Sequence, residues 1–168
     1  ADALEYNAEE PEAMEPSTLL ARTQVAALDG IRPLIELLAS EDAKVLTGAG
    51  SALFNLCLDS SFAAAVRQLG ALPKLQALMD HADLSVVASV TGVLMNCCAS
   101  SESCRDDLAD KGLLAQVLAL LTRSEMTGTQ KDHALASLAG DEVLAAALGL
   151  LNNLLLHSGS ARRLRSLG

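Results

Sequence analysis

Three times along this chain a glycine opens an amphipathic run, a valine opens a second run, and an asparagine follows ten residues after the valine. The glycines are Gly30, Gly70 and Gly112, the valines Val45, Val86 and Val143, and the asparagines Asn55, Asn96 and Asn153. Self-similarity at a period near 40 residues marks a repeat architecture, in which each unit buries its apolar face only by stacking on a neighbour. A glycine also stands 15, 16 and 15 residues after Asn55, Asn96 and Asn153, so Gly168 stands where a fourth copy begins.

The runs have helical chemistry. Gly30-Ile31-Arg32-Pro33-Leu34-Ile35-Glu36-Leu37-Leu38 lines up with Gly70-Ala71-Leu72-Pro73-Lys74-Leu75-Gln76-Ala77-Leu78 and with Gly112-Leu113-Leu114-Ala115-Gln116-Val117-Leu118-Ala119-Leu120. Each glycine suits the positive φ that ends a short helix, and a proline near the start of the next helix removes an amide that would be unpaired anyway. Val45, Ala49, Ala52, Leu53 and Leu56 recur at the three-and-four spacing of a wide apolar stripe, as do Val86, Val90, Val93, Leu94 and Cys97. Half the residues are apolar but only 2% are aromatic, so the core must consist of Leu, Ala and Val, a palette suited to helices packed closely on helices. Small residues such as Gly48, Gly50, Ala88 and Gly92 permit that close approach. Three helices per unit follow.

These features resemble the armadillo repeat, which reads approximately Gly-x-Ile-Pro-x-Leu-Val-x-Leu-Leu, then a turn, then a Val-initiated helix ending in Ala-Leu-x-Asn-Leu. The resemblance covers residues 18–168 and implies an all-α fold, a right-handed α-solenoid of three-helix repeats. The HEAT repeat is the alternative, but it has two helices per unit and lacks the regular Gly and Asn. The expected organisation is an acidic, flexible segment at 1–16 followed by a repeat domain at 17–168. Its units fall at about 18–59, 60–101 and 102–157, with a partial unit at 158–168. The missing initiator Met and the ending at Ser-Leu-Gly in mid-pattern read as an excised piece of a longer protein.

One unit departs from the pattern. From glycine to asparagine takes 25 and 26 residues in the first two units but 41 in the third, which implies about 15 inserted residues around 126–141. Glu125–Asp132 reads as an exposed loop, and His133–Ala139 as an extra turn of helix.

In armadillo proteins that bind extended peptides, the equivalent asparagines line a concave groove, so the resemblance implies that Asn55, Asn96 and Asn153 hydrogen-bond a ligand backbone. An amide has both donor and acceptor and can pair with any peptide bond. The plainer alternative is that each ties its helix to a neighbouring carbonyl. Four residues earlier, nuclear-import receptors of this fold carry tryptophans that stack on lysine stems. Here those positions are Ser51, Gly92 and Gly149, so no aromatic wall is expected, and import-receptor function is not expected either. On the same face, Lys44, Ser85 and Glu142 are mixed in sign, unlike the electropositive groove of the catenin branch.

Catalytic constellations are missing from the sequence. His81, His133 and His157 lie far apart, and none has a partner at metal-binding helical spacing. Ser100–Cys104 contains no nucleophile motif, and Gly48-x-Gly50 lacks the rest of a phosphate loop. Arg162, Arg163 and Arg165 read as the solvated face of the last short helix. No metal or cofactor is expected, and the chain does not read as an enzyme. The net charge of −9 argues against a nucleic-acid surface and suits a basic partner. No long apolar run suggests a membrane span. Cys57, Cys97, Cys98 and Cys104 form no C-x-x-C pair and suit buried thiols in a reducing compartment, cytoplasm or nucleus. The expected function is that of a scaffold or adaptor holding a protein or extended peptide. A chaperone or assembly-factor module of a larger tetratricopeptide-plus-armadillo protein is the alternative, and an enzyme accessory domain the third reading. Cut ends of such a stack would favour self-association.

Overall fold

The computed structural model describes residues 24–25, 29–109, 112–127 and 134–155. The acidic segment 1–16 and the partial unit 158–168 lie outside them. The chain divides into two compact units, Ala1–Gly30 and Ile31–Gly168. In the first, Gln24 and Val25 are helical, and the Gly30 amide donates to the Val25 carbonyl at 2.9 Å.

The second unit is an all-α repeat stack, and eight helices are seen among its described residues. They are α1 (Ile31–Leu37), α2 (Ala43–Leu56), α3 (Ser60–Gln68), α4 (Leu72–Leu78), α5 (Leu84–Ser100), α6 (Glu102–Ala109), α7 (Leu113–Thr127) and α8 (Ala134–Leu155). The long helices α2, α5 and α8 carry the three asparagines and pack side by side in chain order, with α5 in the middle.

Local chemistry sets most of the boundaries. Asp42, Asp59 and Asp83 are N-caps of α2, α3 and α5, each accepting at 2.8 Å from the amide two residues on, those of Lys44, Ser61 and Ser85. Each carboxylate satisfies a donor that the helix start would leave open. Gly70 and Gly112 leave the short helices at φ of 70° and 78°, where a Cβ would clash with the backbone. The first copy departs from the expected pattern, because there the left-handed residue is Asp29, at φ 50°, and not Gly30. What Gly30 supplies is room: a Cβ on it would stand 3.0 Å from Cγ1 of Val25.

Of the loop expected at 125–132, residues 125–127 are helical and 128–132 lie outside the described residues, while the extra turn expected at 133–139 is helical from Ala134. Helix α7 runs through Thr127 and has 15 residues where its counterpart α4 has 7. Helix α8 begins nine residues before Val143, whereas α2 and α5 begin two residues before Val45 and Val86. Val143 therefore does not open its helix. The insertion lengthens the facing ends of α7 and α8, leaving the connection 128–133 outside the described residues. A missing cap explains the extension: the position three before the valine is Asp42 and Asp83 in the first two units but Gly140 in the third. With no carboxylate to stop it, a run of good helix formers from Ala134 continues straight into the repeat helix.

Helix α5 is apolar nearly all round because it has a long helix on each side. Eleven of its 17 residues are buried, among them Val86, Val87, Val90, Leu94, Cys97 and Cys98. Helix α8 has one such neighbour among the described residues, and its Leu148 and Leu155 are 55% and 47% exposed. Counted from the asparagine, these match Thr91 and Cys98 of α5, both fully buried. Arg105, itself buried, donates to the Cys98 carbonyl in the last turn of α5.

All four cysteines are free thiols and buried. Burial pushes the Cys98 thiol up to about 12. For Cys97, hydrogen bonding to Cys104 pulls the thiol down, but contact with Cys57 and burial outweigh it, so the net direction is upward. Cys104 is raised by its hydrogen bond with Cys97 and by burial. Such thiols are poor nucleophiles.

Two outcomes follow. Leu94→Ala is expected to cost about 2–5 kcal/mol in urea denaturation followed by circular dichroism, and Leu148→Ala about 0.5 kcal/mol or less; equal losses would contradict this packing. The thiols are expected to react with Ellman's reagent far more slowly in the native protein than in urea. Because the unfolded Cys98 thiol ionises near 9.0 and the folded one near 12, its contribution to stability is complete below pH 9 and falls as pH rises towards 12. A pH titration of the urea midpoint checks that sign.

Candidate functional site

The asparagines show how the long helices are joined. Nδ2 of Asn96 donates to the carbonyl of Phe54 at 3.0 Å, and Nδ2 of Asn153 donates to the carbonyl of Met95, also at 3.0 Å. Phe54 and Met95 are the residues just before the preceding unit's asparagine. Each amide thus reaches across to the same point of the helix before it, so one N–H of each is engaged in the tie to a neighbouring carbonyl. Asn96 is buried, Asn153 half-buried and Asn55 exposed. None of the three lines the groove described below.

The other layers carry ties of the same period. Nε of Arg67 in α3 meets Oδ2 of Asp107 in α6 at 2.6 Å. Nε2 of Gln76 in α4 donates at 2.8 Å to Oε1 of Gln116 in α7, whose own Nε2 donates to Oδ2 of Asp80 at 3.0 Å. Arg123 of α7 donates to the His81 carbonyl at 3.3 Å. The Arg67 pair is half exposed and adds orientation more than stability.

Across α2, α5 and α8 runs a groove of about 450 Å³. Helix α2 contributes Thr47, Ser51 and Phe54, α5 contributes Ser85, Ala88, Ser89, Gly92 and Met95, and α8 contributes Glu142, Ala145 and Ala146. Of the residues expected at a site, Ser51, Gly92, Ser85 and Glu142 are brought together here. Lys44 is exposed one turn before Thr47, outside the lining, and Gly149 lies under Met95.

The groove has an aromatic member after all. Phe54 was not expected there because it stands beside the asparagine and not one turn before it. A Cβ on Gly92 would come within 2.8 Å of Cδ2 of Phe54, and one on Gly149 would meet Sδ of Met95. Each glycine leaves the space that the previous unit's large side chain fills. Thr47, Ala88, Ser89, Met95, Ala145 and Ala146 were also missed. All sit one, seven or eight residues before an asparagine, so a helical projection of the whole face, beyond the two rows considered, would have found them.

Among the described residues no group of His, Cys, Asp or Glu side chains is arranged to hold a metal ion. No described helix is long and apolar enough to cross a membrane.

Asn96→Ala would strand the Phe54 carbonyl in a part-buried place, at a cost of about 1–3 kcal/mol. Urea denaturation should show this as a lower midpoint; an unchanged midpoint would mean that the amide tie does not hold α5 to α2.

Comparison with known proteins agrees with this arrangement. Residues 21–58 match the armadillo/β-catenin-like repeat. The fold is similar to a crystal structure of an engineered protein from the Northeast Structural Genomics Consortium, at 24% identity and a TM-score of 0.64. That alignment covers 80% of this chain and 49% of the other, so the chain spans about half that protein's length. The chain therefore carries an armadillo-type repeat at 21–58 and continues in an all-α repeat fold, as its resemblance to the armadillo family implies.

Proposed function

We propose that this chain is a protein-interaction module that docks an extended segment of another protein in the groove across α2, α5 and α8. The groove itself is the observation that carries this reading. It is continuous over three successive repeat helices, its floor of Ser85, Ala88, Ser89 and Gly92 lets a backbone approach closely, and its walls offer hydroxyls and two large soft side chains. The armadillo-type match supports it, since such repeats serve as protein-binding scaffolds. Lateral ties hold the helices at fixed spacing, so the groove is formed before the ligand arrives and little ordering cost falls on the protein. A preformed groove favours an adaptor for a defined segment over a chaperone that holds unfolded chains.

The asparagines are poor probes, because removing them loosens the stack. Ala145→Trp is better: Ala145 is exposed on α8 and lines the groove, so an indole there fills the space without touching the core. The expected outcome is an unchanged melting curve with a roughly tenfold or greater loss of affinity, about 1.4 kcal/mol, for partners captured by the unaltered protein. Partners held equally well by both would move the binding surface away from the groove.

A further inference from the structure

The two long sides of the groove differ in chemistry. One side follows the starts of α2 and α5 and the level of Glu142 in α8. It exposes Glu41, Asp42, Asp83, Asp141 and Glu142 against a single cation, Lys44. The opposite side carries Phe54 and Met95, with an uncharged floor of small residues between. Glu142 is the one charged residue among those lining the groove.

We infer that the occupant is an extended segment of a partner protein in which basic residues alternate with apolar ones. This rests on the groove reading above. An extended chain places successive side chains on opposite sides, two residues spanning about 6.5 Å. Lying across the three helices, such a chain turns one set of side chains to the acidic rim and the other to Phe54 and Met95. The floor of Ser85, Ala88, Ser89 and Gly92 leaves depth for its backbone. Basic side chains find carboxylates on the rim, and apolar ones are removed from water at the ring and thioether. A uniformly basic segment would leave the apolar side unfilled, and a uniformly acidic one would meet the rim with like charge. The rim charges are exposed and screened, so they choose among ligands and speed encounter more than they add affinity.

The test is selection from a phage-displayed library of random twelve-residue peptides on the whole chain at low ionic strength. Three variants are panned and titrated beside it: Ala145→Trp, Phe54→Leu, and the charge reversal Asp141→Lys with Glu142→Lys. Asp42 and Asp83 are left in place because they cap helices. Enriched peptides are expected to show Lys or Arg at alternate positions with Leu, Ile, Val, Met or Phe between. They should bind several-fold more weakly to the charge-reversed variant, with the difference shrinking as salt is added, and more weakly to Phe54→Leu at any salt. Enrichment of acidic or uniformly basic peptides, or indifference to the reversed rim, would overturn the inference while leaving the groove reading standing if Ala145→Trp still abolishes binding. Peptides that bind Ala145→Trp undiminished, or no enrichment at all, would overturn both.

Discussion

The stack depends on one repeated contact, an asparagine amide on each long helix donating to a carbonyl on the helix before it. Phe54 lies in the last turn of α2, where carbonyls have no partner further along the helix, and Met95, inside α5, keeps a second lone pair, so the tie pairs an open acceptor in one case and uses spare capacity in the other. Because the tie recurs at the same register, it fixes how far each helix is displaced along its neighbour. Apolar packing alone is too indifferent to slippage to set that displacement. The Gln76–Gln116 pair between α4 and α7 and the more exposed Arg67–Asp107 pair between α3 and α6 repeat the device.

Fixed register is what turns three helices into a surface with order in it. Positions one, four, seven, eight and eleven residues before each asparagine fall on one face and form rows across α2, α5 and α8. Small residues occupy the middle rows, so the helices approach closely and the face sinks into a groove. Phe54 and Met95 reach over glycines of the next helix, coupling the lining of the groove to the packing of the repeats. For that reason the site is better altered at Ala145, which touches only the opening, than at the asparagines that hold it together.

Much of the architecture is legible in the residues themselves. The order of Gly, Val and Asn predicts three helices per unit and a repeat, and the positive φ of Gly70 and Gly112 agrees with the reading of those glycines. Asp29 shows the limit of such patterns, since an aspartate can adopt the left-handed region and leave its neighbouring glycine with a different task. The insertion shows another. The extra turn read at 133–139 is helical from Ala134, but its fusion with the repeat helix was not foreseen, because what sets the start of a helix is a cap, and Gly140 stands where the other units have aspartate.

Sequence by itself determined the helices, their order and the repeat that stacks them, because these follow from local backbone preference and from the period of the apolar face. Tertiary structure alone decided which polar groups are spent and which are offered. An asparagine has the same chemistry wherever it stands, and only the carbonyl 3.0 Å away shows that Asn96 holds a neighbouring helix. The same holds for Phe54: its place in the chain lies beside the tie, and its place in the groove exists because the next helix sets a glycine against it.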